Sequence, residues 1–230
     1  MTRPTAAERP PTTPRLSRAR IVDACIELGD REGLDAITLR RLGLELGADP
    51  TAVYRHFRDK DELLAAVADR LLATVADRFR RTGDWRRDLR RIVLGARRVY
   101  MAHPRLAALL ATSPDPLPSN QRIAEVVIGA LRGAGLSDRE AAIGFEVLED
   151  YTAGSSALDA EVESGTANAW RASFAALPED RFPNAAAVAP HLYRNDEAAF
   201  AFGLDLLLDA LERRVHAGAS TPAPTERSPR

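Results

Sequence analysis

The chain has 230 residues, 45% of them hydrophobic and 28% charged, with a formal net charge of −1. This globular composition allows one large domain or two modest ones around an apolar core, and it excludes a global basic field as the basis of function. The single cysteine, Cys25, excludes an intrachain disulfide framework. No run reaches the roughly 18–20 apolar residues that span a bilayer, and the start lacks the apolar core of a secretory signal, so a cytoplasmic protein without membrane contact is expected.

Residues 1–16, rich in Pro, Thr and Arg without periodicity, are expected to form a disordered arm. Ser17 can cap a first helix that shows Ile21, Cys25 and Leu28 on one face and ends at Gly33. Thr38 can cap a short second helix with Leu39, Leu42 and Leu46 inward, stopping at Gly47. Asp49 and Pro50 suit the cap and first position of a third short helix carrying Val53 and Phe57. Asp59 can cap a longer fourth helix through Leu63, Leu64, Val67, Leu71, Val75 and Phe79. A second block begins near Asp84, with helices expected at 84–102, 104–112, 119–133, 138–163, 168–176 and 196–216. Residues 177–195 are expected to be irregular or partly helical, and 217–230 a second disordered tail. Alternating β-branched runs are missing, so the fold class is all-α.

Thr38 to Phe57, two short helices joined by a turn containing Gly47, has the spacing of a helix-turn-helix. A recognition helix needs small or polar residues where it meets base edges and donors to phosphate along its flanks. Pro50, Thr51 and Ala52 are small enough for close approach, and Tyr54, Arg55 and His56 supply a phenol, a guanidinium and an imidazole. Lys60, the only lysine against 31 arginines, follows at once.

The string TLRRLGLELGADPTAVYRHFRDKDELL resembles the DNA-binding domain of tetracycline-repressor (TetR) family regulators over residues 17–64. The likeness lies in Thr38, Gly47 and the run Tyr54-Arg55-His56-Phe57 followed by Lys60. It implies that Thr38, Tyr54, His56 and Lys60 contact phosphates, with Arg40, Thr51, Ala52 and Arg55 at base edges. The segment ADPTAV departs from the commoner serine- and glycine-bearing versions, so no operator sequence follows. Residues 84–216 look similar to the regulatory domains of the tetracycline-repressor subgroup, which implies a helical ligand-binding and dimerisation domain.

Within that block, Ile143, Val147, Tyr151 and Leu158 form one stripe, and the last helix shows Phe200, Leu204, Leu207, Leu208, Leu211 and Val215. Paired across a two-fold axis, helices 138–163 and 196–216 would make a four-helix homodimer interface. Trp85, His103, Phe145, Tyr151 and Trp170 are the candidate lining of a pocket for a small, largely apolar effector. The histidines show no metal-ligand spacing, so neither metal nor cofactor is expected. Glu149-Asp150 reads as a solvated helix face, and Gly154-Ser155-Ser156 is no nucleophile elbow.

The expected function is a ligand-released repressor that binds a palindromic operator as a homodimer. The alternative is an all-helical small-molecule carrier or enzyme that keeps a non-functional helix-turn-helix.

Overall fold

A computed structural model describes residues 16–112, 117–161, 164–192 and 197–219. Every regular element among them is helical, as the composition predicts. The expected arm lies outside the described residues apart from Leu16, as does the end of the chain from residue 220.

Caps set most of the boundaries. The Ser17 hydroxyl accepts from the Arg20 amide at the head of α1 (Arg18–Glu32), and Thr38 accepts from the Arg41 amide at the head of α2 (Leu39–Glu45). Asp49 and Asp59 accept from the Thr51 and Glu62 amides, opening α3 (Pro50–Tyr54) and α4 (Lys60–Arg78). Each cap satisfies an amide that has no intrahelical partner, a contribution of about 1 kcal/mol. The third helix is shorter than expected, since Phe57 sits in the turn after it.

Asp84 caps α5 (Trp85–Ala102), which continues through a 3₁₀ turn (Pro104–Leu106) into α6 (Ala107–Thr112). Then come α7 (Pro118–Gly133), α8 (Asp138–Glu161), α9 (Ser164–Ala175), α10 (Pro183–Val188) and α11 (Glu197–Ala219). The last helix runs three residues into the expected tail.

Two apolar clusters hold these helices. The first joins Ile21, Cys25, Leu28, Leu42, Val53, Phe57, Leu63 and Val67 to Tyr100, Leu106 and Leu110. The N-terminal helices therefore share a core with the end of α5 and with α6. The second is built from Val75, Leu89, Ile92, Val93, Val127, Leu131, Leu148, Phe200, Leu204 and Leu208. Helix α4 spans both, with Leu63 to Leu72 in the first and Val75 in the second.

The structure corrects one expected face. Phe200, Leu204 and Leu208 are buried in the core of the chain, while Phe202 (68%) and Leu206 (53%) are the exposed large apolar residues among those described on α11. Helix α11 is apolar on two sides, and the richer stripe packs against α5 and α8. On α8, Ile143, Val147 and Leu158 are exposed, but Tyr151, expected on the same stripe, turns inward, stacks on Phe200 at 4.8 Å and donates to its carbonyl at 2.8 Å.

Tyr151 also explains Gly203. A Cβ there would lie 2.9 Å from the Tyr151 Cζ and closer still to its hydroxyl. Gly203→Ala is therefore expected to destabilise the protein by about 1–3 kcal/mol, read as a lower melting temperature. An unchanged melting curve would show that the α8–α11 contact yields without cost.

Candidate nucleic-acid interface and effector cavity

The turn between α2 and α3 is made by Gly47, whose φ of 59° is in the left-handed region that glycine enters without steric cost. The Gly47 and Ala48 amides donate to the Leu44 and Gly43 carbonyls at 3.1 and 2.9 Å, closing α2. Val53 and Phe57 are buried and anchor α3 from below.

The opposite side is open. Thr38, Arg40, Thr51, Tyr54 (56%) and Arg55 are exposed, and Ala52, His56 and Lys60 are half-buried. Pro50 occupies the first turn of α3. Arg40 and the Tyr54 hydroxyl have no hydrogen-bond partner among the described residues. The Thr51 hydroxyl instead donates to the Asp49 carboxylate at 2.7 Å, so in this state it is committed to the cap.

A clamp behind α3 was not legible from local pattern. Arg18 Nη1 donates to the His56 carbonyl at 2.7 Å and to Glu62 Oε1 at 2.9 Å, with its guanidinium 4.1 Å above the Phe57 ring centroid. Glu62 Oε2 also accepts from the Arg58 amide at 2.9 Å. The run Asp59-x-x-Glu62 has the form of a capping box and could have flagged Glu62. Arg18 lies 44 residues away and has no such signal.

The Arg58 amide, and then Arg18, draw the Glu62 carboxyl down to about 2 from 4.5. Because its folded pKa is depressed, the contribution of Glu62 is fully present above about 4.5 and is lost as pH falls towards about 2. Glu62→Gln is expected to flatten the pH dependence of stability in that window, measured by denaturant titration at several pH values. Identical slopes for variant and wild type would contradict the clamp.

Lys60 reaches inward. Its Nζ donates to the Leu34 carbonyl at 3.2 Å, which leaves two of its three N–H groups for an external acceptor. Its charge acts on the Cys25 thiol, but burial dominates there and pushes that thiol up to about 12. Cys25 is thus a core residue.

A cavity of about 320 Å³ opens among α4, α5, α6, α7 and α8. Leu72, Ile92, Tyr100, Val127, Phe145 and Leu148 form its walls, and Asn120, Glu149, Asp150 and Thr152 supply polar groups. Of the five expected pocket residues, Phe145 lies on this cavity and four lie elsewhere. Trp85 packs at the edge of the second core, Tyr151 sits against Phe200, and Trp170 on α9 is exposed. His103 Nδ1 is 2.8 Å from Asp30 Oδ2 on α1. Aromatic side chains marked apolar helix faces in the sequence, and several of those faces pack in the core or remain open.

His103 belongs to the junction between the two clusters. Leu106 packs so tightly on α1 that a Cβ at Gly29 would meet it, and Arg105 donates to the Arg31 carbonyl. Among the described residues, no three His, Cys, Asp or Glu side chains stand close enough to hold a metal ion, and no helix is long and apolar enough to cross a membrane.

Residues 21–67 match the family model for bacterial regulatory proteins of the tetR family, and residues 80–215 match that for the tetracyclin repressor-like C-terminal domain. The chain is 29% identical to the transcriptional repressor DrrR1 of Streptomyces coeruleorubidus, over 92% of its own length and 83% of that protein. Among solved structures it resembles the TetR family protein ActR of Streptomyces coelicolor in complex with actinorhodin, with a TM-score of 0.75 and 30% identity over 90% of this chain and all of the other. It also resembles BioQ bound to its double-stranded DNA operator, with a TM-score of 0.64 and 26% identity over 86% of this chain and 99% of the other.

Proposed function

Because the chain belongs to the tetracycline-repressor (TetR) family of transcriptional regulators, we propose that it represses genes by binding a palindromic operator as a homodimer and is released by a small molecule. Its family makes it a regulator and not an enzyme. The carrying observation is the pairing of an exposed recognition helix with a cavity through one helix. Leu72 of α4 lines the cavity, and the first turn of α4 holds Lys60 and Glu62 behind α3.

On this reading residues 17–64 are the DNA-binding unit, with α4 continuing to about 80, and residues 84–216 bind ligand and dimerise. Exposed Ile143, Val147 and Leu158 on α8, with Phe202 and Leu206 on α11, supply the apolar area that a two-fold interface needs. Two recognition helices then enter successive major grooves about 34–36 Å apart. Thr38, Tyr54, His56 and Lys60 hold phosphates, while Arg40, Pro50, Thr51, Ala52 and Arg55 meet base edges. Ligand that binds more tightly to the spacing unfit for the operator shifts the population and releases DNA. The site of action is the cytoplasm, where the DNA lies.

Selection of bound fragments from genomic DNA tests the reading. A two-fold symmetric sequence is expected to be enriched, and sedimentation at micromolar concentration should give a dimer. Fragments without symmetry, or a monomer, would overturn it.

A further inference from the structure

The chain carries 31 arginines, yet no arginine among the described residues lines the 320 Å³ cavity. The arginines of α5 are turned away from it. Arg86 pairs with Asp209 and Glu212, Arg90 with Asp205, and Arg97 with Asp159. On the other side of Ile92, five arginines (Arg78, Arg87, Arg90, Arg91 and Arg98) line a separate groove. The wall between α4 and α5 therefore divides basic from acidic space.

Inside the cavity the balance is reversed. Glu149 and Asp150 are its carboxylates, and neither has an ion pair or hydrogen bond among the described residues. Partial burial against the cavity wall, then the charges of Asp150 and Glu146, push the Glu149 carboxyl up, although the residue as a whole is exposed. Tyr100 supplies a second, independent sign. Its side chain is buried (4% exposed) and lines the cavity, and its hydroxyl makes no hydrogen bond among the described residues. Thr152 has spent its hydroxyl proton on the Leu148 carbonyl. What the cavity offers is an apolar, partly aromatic interior and an exposed carboxylate rim.

We propose that the effector of this cavity is an amphipathic organic cation, its apolar body between Ile92, Val127 and Phe145 and its ammonium group at the Glu149–Asp150 rim. A cation there supplies the charge that the fold withholds, and the faces of Tyr100 and Phe145 favour it further. The inference builds on the reading of this cavity as the effector site, and it replaces a merely apolar ligand by one of defined charge.

The test uses three probes of nearly one shape, titrated by naphthalene fluorescence: (1-naphthylmethyl)trimethylammonium, its neutral carbon isostere 1-neopentylnaphthalene, and 1-naphthylmethanesulfonate. The ammonium compound is expected to bind the full-length protein about tenfold or more tightly than the isostere, with the sulfonate weakest. The double variant Glu149→Gln/Asp150→Asn should erase that preference and leave the affinity of the isostere within about twofold. Ala153→Phe, or Ala96→Phe if the first fails to fold, should block all binding by filling the cavity. Equal affinities for ammonium and isostere, both blocked by the filling variant, would overturn the charge assignment and leave the cavity reading standing. No binding by any probe, or binding that survives the filling variant, would overturn both.

Discussion

Replacing Tyr54 and Lys60 together by alanine is expected to weaken binding to every duplex, cognate or not, by about 10- to 100-fold, and to flatten the salt dependence by about one unit of slope. Both effects follow from position. Tyr54 projects from the end of α3 with a free hydroxyl, and Lys60 opens α4 immediately beyond the turn. A phosphate held by either carries no sequence information, so the loss should be uniform, whereas changes at Arg40 or Arg55 should alter which sequence is preferred.

Only Lys60 contributes a formal charge, hence one unit of slope and not two. Lys60→Arg should also bind more weakly than wild type. The native ammonium is half-buried and donates to the Leu34 carbonyl, and a longer planar guanidinium cannot occupy that seat and still face outward in the same way. Electrophoretic mobility shifts at four salt concentrations, on operator and on random duplex, separate these outcomes. A double variant with wild-type slope would remove both residues from the interface.

Asp159→Ala is expected to cost about 3–5 kcal/mol, a fall in melting temperature of roughly 10 °C for a chain of this size. Arg97 Nη2 lies 2.7 Å from Asp159 Oδ2, with side-chain exposures of 4% and 18%. Its guanidinium sits 4.2 Å above the Phe200 ring centroid and 3.5 Å from the Ser156 hydroxyl. Removing the carboxylate leaves a guanidinium out of water that faces, among the described residues, the Ser156 hydroxyl and the Phe200 ring. Replacing both partners by apolar residues, Arg97→Met with Asp159→Leu, should recover most of the loss, because neither charge then needs solvation. Melting followed by circular dichroism measures both. A single variant as stable as wild type would mean that water already reaches the pair.

Much of the helix-turn-helix was legible in the chain. Ser17, Thr38, Asp49 and Asp59 each accept from the amide that a cap should hold, and Gly47 takes the positive φ that its turn requires. Such features depend on a few neighbouring residues, so local chemistry predicts them. The cavity was far less legible. Phe145 was found and Tyr100 was not, because an aromatic residue on a helix face looks the same whether it meets a neighbour or an empty space. Glu149 and Asp150 read as a solvated face, and their place on the cavity rim depends on how α8 lies against α5, α6 and α7.

By itself, then, the sequence determined the helices, their caps, the all-α class and the helix-turn-helix with its family likeness, since periodicity and capping act within a turn or two. Tertiary structure alone decided which apolar side of α11 stays free, because two candidate stripes compete for one core. It also decided that Arg18 clamps Glu62 from 44 residues away, that Lys60 is held by Leu34, and that none of the described arginines lines the cavity. These pairings join segments distant in sequence, and only the packing of one helix on another brings their side chains within reach.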